Sequence, residues 1–284
     1  MSMNKEVYKI VQFLKNTLRQ SDQNGFALGM SGGIDSAVCA ALAKRAIDEL
    51  ATDKDHPFDD IRRDYTLDLI ILPMGNIAGD ADTATEVAGH LGVDIRTVEL
   101  GDTLSAFLAA LHPTKDGHTQ PDPKVVGNLK ARMRMSAIYY AANEKGLLVL
   151  GTDNLAETYT GYFTKHGDGA ADVFPLSDFT KREVYEIGRF LGLPESVLSR
   201  QPSAGLWEGQ TDESEMGVPY NFIDNVLEGI NEANALTYPR KQYDEYFQRL
   251  SQLHGSTKHK REAPHIYKRN PVATENSLWS QLNS

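Results

Sequence analysis

Residues 25–36 read Gly25-Phe26-Ala27-Leu28-Gly29-Met30-Ser31-Gly32-Gly33-Ile34-Asp35-Ser36. A short apolar run ends in Ser-Gly-Gly-Ile-Asp-Ser, and an alanine-rich stretch with helical patterning follows at once. The arrangement is strand, glycine turn, helix N-terminus. Two adjacent glycines let the backbone turn sharply and bring N–H groups close to a ligand. The helix behind them adds free donors and the positive end of its dipole. Ser31 and Ser36 add hydroxyls, and Asp35 adds a carboxylate for a cation. Such a turn suits a polyphosphate with bound magnesium. The plain alternative is a glycine turn before a core helix, but two serines and an aspartate converging on one turn argue against it.

The common phosphate loop requires Gly-Lys-Ser/Thr after a first glycine, and no lysine sits here. The dinucleotide fingerprint Gly-x-Gly-x-x-Gly is absent as well. Ser-Gly-Gly-x-Asp-Ser instead resembles the signature of enzymes that cleave ATP between the α and β phosphates and hold the departing pyrophosphate.

Outward from this turn, apolar spacing predicts a helix carrying Val7, Ile10, Val11, Leu14 and Leu18. It then predicts strands over 26–30, 67–72, 93–98 and 147–150, the last fully apolar and hence central. Helices are expected over 36–50, 81–91, 103–111, 125–143, 180–190, 220–230 and 240–253. Residues 51–66 and 112–123 read as loops, and 202–217, polar with three glycines, as a candidate mobile lid. The alternation is that of an α/β fold, a doubly wound parallel sheet flanked by helices (Rossmann-like), with ligands beyond the carboxyl ends of its strands. One α/β domain over 1–270 and a polar tail over 271–284 are expected.

The 284 residues are 40% apolar and carry a net charge of −10. That balance argues against a nucleic-acid surface. No apolar run approaches the roughly 18 residues of a membrane span, and the N-terminus lacks a signal-peptide pattern. The single cysteine, Cys39, excludes an intramolecular disulfide and reads as a packed core residue. A cytoplasmic enzyme fits.

Five further stretches line up behind the turn. They are Asn128 to Met135 (Asn-Leu-Lys-Ala-Arg-Met-Arg-Met), Gly151 to Glu157 (Gly-Thr-Asp-Asn-Leu-Ala-Glu), Gly161 to Asp172 (Gly-Tyr-Phe-Thr-Lys-His-Gly-Asp-Gly-Ala-Ala-Asp), Pro175-Leu176 with Thr180-Lys181-Arg182, and Thr257 to Arg261 (Thr-Lys-His-Lys-Arg). In this order the set closely resembles the ammonia-dependent NAD synthetase family, from the first helix to about residue 265. The resemblance implies a ligase that amidates deamido-NAD (nicotinic acid adenine dinucleotide) at the cost of ATP. The nicotinate carboxylate attacks the α-phosphorus, giving an adenylate and pyrophosphate, and ammonia then displaces AMP.

By the resemblance, Gly29, Met30, Ser31, Gly32, Gly33, Ile34, Asp35 and Ser36 hold the phosphates, and Thr152, Lys181 and Ser203 touch ATP. Asp35 and Glu157 bind Mg²⁺ through hard oxygen ligands and, with Lys181, form the catalytic set. Arg132, Lys165, Asp172, His259 and Lys260 bind deamido-NAD. The family forms homodimers with shared substrate sites, and the apolar stripe of the first helix suits either such a contact or the core. The family often has an arginine before the Leu-Pro after the second strand. Ile71 stands there instead, and residues 74–79 lack the glutamines common at that point, so no adenine contact is assigned. Larger relatives draw ammonia from glutamine in a separate amidase domain. With the turn beginning at residue 29 and one cysteine in the chain, free ammonia is the expected nitrogen donor.

Rival readings share the turn. Another pyrophosphatase-type adenylating ligase would lack the stretches around Lys165 and His259. A transfer-RNA sulfur-inserting enzyme would want a reactive cysteine and a basic face. A nucleotide-binding sensor without turnover would not need Asp35, Glu157 and Lys181 together.

Overall fold

The computed structural model describes residues 3–52, 64–75, 80–111, 122–203, 211–229 and 238–267. Its first half alternates α1 (Met3–Gln20), β1 (Gly25–Gly29), α2 (Ile34–Thr52), β2 (Thr66–Ile71), α3 (Asp80–Leu91), β3 (Ile95–Thr97), α4 (Gly101–Leu111), α5 (Pro123–Lys145) and β4 (Leu148–Val149). The strands pair in parallel in the order β3-β2-β1-β4. Side chains alternate across the sheet, as a strand's period of two requires. Phe26, Leu28, Leu69 and Ile71 face a core shared with α1, α2, α3 and α7 (Lys181–Phe190). Ala27, Val149, Ile70 and Leu72 face α5 on the other side. Helices therefore cover both faces.

The chain leaves β1 toward β2 on one side, while β4 pairs on the other. Between them lies the topological switch point, where a doubly wound sheet opens a crevice for ligands. Gly29 keeps that crevice narrow: a Cβ there would come within 2.7 Å of Ile138 Cδ1 on α5.

β4 is flanked on both sides, as its apolar run suggests: β1 pairs on one, and residues 172–173 run parallel on the other, with Gly151 N–H donating to the Val173 carbonyl and the Asp172 and Val173 N–H groups to the Val149 carbonyl. Two further expectations are refined. The apolar stripe of α1 is spent inside the chain, with Val7, Ile10, Val11, Leu14 and Leu18 all buried in the main core. Burial stabilises by about 1.5–3 kcal/mol per large aliphatic side chain, so this face is not available for a partner. The expected lid over 202–217 is ordered at its far end. Thr211 caps α9 (Asp212–Met216), and Met216 is buried. Residues 204–210 lie outside the described residues, as do most of the loops at 51–66 and 112–123 and the tail over 271–284.

The second half adds α6 (Leu155–Thr160), α8 (Glu195–Leu198), α10 (Tyr220–Leu227), α11 (Arg240–Ser256) and α12 (Lys258–Arg261). Ala156, Met216, Val218, Tyr220, Phe222, Ile223 and Leu250 form a smaller core that fixes α9, α10 and α11 against α6. Cys39 is fully buried beside Gly151, its thiol pushed well above the ordinary range by burial and by nearby carboxylates, which leaves it inert. Among the described residues no helix is long and apolar enough to cross a membrane.

Candidate active site

A cavity opens beyond the carboxyl ends of β1, β2 and β4. Its walls include Gly29, Met30, Ser31, Gly33, Ile34 and Asp35 after β1, Ile71, Leu72 and Pro73 after β2, and Gly151, Thr152 and Asp153 after β4. Arg134 and Met135 of α5, Glu157, Lys181, Arg200, Ser203 and Asp212 complete it.

The turn after β1 is braced by its own side chains. Gly33 N–H donates to Ser31 Oγ at 3.2 Å, Ser36 Oγ donates to the Gly33 carbonyl at 3.0 Å, and the two serine hydroxyls lie 3.1 Å apart. Gly32 adopts φ +77°, and a Cβ there would sit 2.4 Å from the Asp80 carbonyl oxygen, so only glycine fits. Ser36 and Gly32 thus act from behind the turn, which presents the first amides of α2 to the cavity.

Four segments far apart in sequence meet at one ammonium. Lys181 Nζ donates to Asp35 Oδ2 at 2.6 Å and to Glu157 Oε1 at 3.5 Å, and it lies 4.9 Å from the centre of the Tyr220 ring. Its side chain is only 4% exposed. Asn154 ties the two carboxylates together. Its Nδ2 donates to Asp35 Oδ1 at 3.0 Å, while its Oδ1 and backbone N–H close a capping box with Glu157 at the start of α6. Glu157 therefore caps α6 as well as lining the cavity, and the cap fixes its carboxylate. Tyr220 hydroxyl lies 3.0 Å from Glu157 Oε1 and 3.1 Å from Asp212 Oδ2.

The electrostatics follow from burial. Burial alone would lower the Lys181 pKa, but Asp35 and Glu157 outweigh it and keep the ammonium charged. Burial raises Glu157 to about 7, with Lys181 opposing and Asp35 and Asp212 adding to the rise. Asp212 is also raised by burial. The Tyr220 phenol has one hydrogen to share between Glu157 and Asp212, and Asp212 also meets the Tyr162 hydroxyl. Asp153, buried beside Asp168 and Glu157, is pushed well above the usual carboxylate range.

The other predicted residues gather elsewhere. Arg132 is exposed and donates to the Lys165 carbonyl at 3.3 Å, while Lys165 Nζ donates to the His259 carbonyl. Lys260 Nζ donates to the carbonyls of Gly161 and Phe163 at 2.8 and 2.6 Å, and burial lowers its pKa. These four residues surround the loop after α6, against which α12 is docked. Gly161, at φ +67°, leaves no room for a Cβ beside Thr257. None of the four lines the cavity. Asp172 stands apart from both groups. Its Oδ2 accepts the Val149 N–H at 2.8 Å and its Oδ1 the Tyr139 hydroxyl at 3.2 Å, so it finishes the hydrogen bonding of β4.

The NAD synthase family model matches residues 6–264. The chain belongs to the NAD synthase family. It is 40% identical over 263 residues to the NH(3)-dependent NAD(+) synthetase of Alkaliphilus metalliredigens, covering 91% of this chain and 96% of the relative. It is 39% identical over 264 residues to the enzyme of that name from Mesoplasma florum, covering 92% and 96%. Two solved structures share its fold. One is an NMN synthetase from Francisella tularensis (34% identity, TM-score 0.79, 94% of this chain and 99% of that one). The other is an NAD+ synthetase from Burkholderia pseudomallei (32% identity, TM-score 0.72, 93% and 91%).

NAD synthases are ATP-dependent ligases. Gly29, Met30, Ser31, Gly33, Ile34, Asp35, Thr152, Glu157, Lys181 and Ser203 line one cavity. Sequence reading missed Asn154, Tyr220, Asp212, Asp153, Asp168 and Arg134, all near it. Arg134 lies in a quoted stretch, two positions from Arg132, but only the docking of α5 decides which of the two faces inward. A magnesium ion fits the donor set. Among the described residues no three His, Cys, Asp or Glu side chains could hold an ion by themselves. Asp35 and Glu157 converge on one cation, Lys181. Two carboxylates completed by substrate phosphate oxygens is the usual magnesium arrangement.

Proposed function

We propose that this NAD synthase joins ammonia to the nicotinate carboxylate of deamido-NAD, with ATP converted to AMP and pyrophosphate. The observation that carries the reading is the meeting of Lys181, Asp35 and Glu157 beside the braced glycine turn, because activation at the α-phosphorus needs charge neutralisation more than an acid or base. In the first step the carboxylate oxygen bonds to the α-phosphorus and the bond to the bridging oxygen breaks, releasing pyrophosphate. The amides at the start of α2 and the hydroxyl of Ser31 hold the leaving phosphates. Lys181, buried and charged, offsets the negative charge that builds on them. Asp35 and Glu157 would hold magnesium, which when bound neutralises and orients phosphate oxygens. In the second step ammonia bonds to the acyl carbon, AMP leaves with the electrons of the broken C–O bond, and a proton is lost from nitrogen.

Arg132, Lys165, Asp172, His259 and Lys260 are proposed to meet deamido-NAD. Arg132, Lys165, His259 and Lys260 surround the loop after α6, beside the cavity, a placement that suits a site shared by two copies in a homodimer, while Asp172 lies apart at β4. The acidic chain with a single buried cysteine suits the cytoplasm. Ile71 and Leu72 give the cavity an apolar wall where the family often has an arginine. A second reading rests on the Francisella tularensis protein, named an NMN synthetase: the substrate would then be nicotinate mononucleotide, which carries the same carboxylate. The test is ATP–pyrophosphate exchange with each acid in turn. Exchange that requires deamido-NAD supports the proposal. Exchange sustained better by nicotinate mononucleotide supports the second reading, and exchange with neither overturns both.

A further inference from the structure

Lys181 is the first residue of α7, so its own N–H is one of the helix's orphan donors. The local cap does not reach it: Thr180 Oγ1 accepts from Glu183, and Glu183 reaches back to Thr180. The first two amides go to Asp224 on α10. Asp224 Oδ1 accepts the Lys181 N–H at 3.3 Å and Oδ2 accepts the Arg182 N–H at 2.9 Å. Asp224 is 1% exposed. It lies one turn beyond Tyr220, on the same face of α10, and Tyr220 holds Glu157 and lies against the Lys181 ammonium. One face of α10 thus fixes both the backbone of Lys181 and one of the carboxylates its side chain meets. Arg182 adds a separate clasp to α10 through Asn221, Asn225 and Glu228.

We infer that Asp224 is a positioning residue: by holding the first turn of α7 it sets where the Lys181 ammonium stands relative to Asp35 and Glu157. The inference rests on the proposed role of Lys181 toward ATP. Asp224 touches no substrate. Removing its carboxylate leaves two buried amides to find new partners, and the first turn of α7 shifts to reach them.

The test compares Asp224→Ala, Asp224→Asn, Arg182→Ala and Lys181→Ala in the full chain, with amidation kinetics at a temperature where circular dichroism shows each folded. Asp224→Ala is expected to lower kcat about ten- to a hundredfold, the scale of a displaced catalytic group, with both KM values within about threefold. Asp224→Asn keeps one acceptor oxygen and should fall between Asp224→Ala and the parent; it decides the matter if Asp224→Ala does not fold. Arg182→Ala breaks the clasp but not the cap, and should keep kcat within about twofold. The positioning role is overturned if both Asp224 variants keep the parent's kcat, or if Arg182→Ala matches their loss. Lys181→Ala separates the two ideas. Full turnover there sinks the reading of Lys181 itself, whereas lost turnover there with full turnover in Asp224→Ala sinks only the positioning.

Discussion

Replacing Lys181 with methionine removes a charge and keeps much of the side chain's volume. The ammonium is 4% exposed and meets Asp35 at 2.6 Å and Glu157 at 3.5 Å. Solvent does not screen this arrangement, so the loss of one partner leaves buried carboxylates uncompensated, at a cost of about 3–5 kcal/mol. For 284 residues, unfolding entropy near 2.1 cal/mol/K per residue gives a melting-temperature loss of about 5–8 °C. The pH dependence has a definite sign. Without the ammonium, which opposes the rise in its pKa, Glu157 takes up a proton still more readily when folded than when unfolded. Raised carboxylate pKa values favour the folded state at low pH, and that advantage fades as pH rises through them. The deficit of Lys181→Met against the parent should therefore grow from pH 5, where Glu157, already at about 7 in the parent, is protonated, to pH 8, where it is ionised. Differential scanning calorimetry at both pH values, without nucleotide or metal, reads this directly. A Tm within about 2 °C of the parent at pH 8, or a larger deficit at pH 5 than at pH 8, would refute the reasoning.

Glu157→Gln should bind magnesium–ATP weakly at every pH. The parent's affinity should rise as pH passes from 6 through about 7 and level off above it, as the Glu157 proton is lost; titration calorimetry measures both. Lys165→Ala and Lys260→Ala should raise the KM for deamido-NAD more than that for ATP, and equal effects would remove both residues from the dinucleotide site. If that site is shared, light scattering at assay concentration should give a dimer, and a fully active monomer contradicts sharing. Ammonium salts should support turnover that increases with pH as more NH₃ forms, while ammonia-free glutamine should not.

The part of the site that sequence reveals is the part built from one contiguous segment. Residues 25–36 announce a strand, a turn and a helix because apolar runs and glycines carry local conformation, and Asp35 and Ser31 come with them. Glu157 and Lys181 are readable from their short motifs, but not that they share an ammonium–carboxylate pair, since α6 and α7 meet only after the sheet forms. Tyr220, Asp212 and Asp224 are hidden for the same reason: each is an ordinary residue on a short helix until α9 and α10 dock over α6 and α7. Periodicity leaves α1 undecided because an apolar stripe has the same spacing in a core or an interface. Arg132 and Arg134 differ only in helix phase, which the packing of α5 sets.

The central claim is that the nicotinate carboxylate is activated by bonding to the α-phosphorus of ATP in this cavity. It is tested by supplying deamido-NAD labelled with ¹⁸O in the carboxylate, together with ATP, magnesium and ammonium, and reading the products by mass spectrometry. The account predicts NAD, AMP and pyrophosphate in equal amounts, with one labelled oxygen carried into the AMP phosphate. Label in orthophosphate with ADP as the nucleotide product, or AMP free of label, would contradict it.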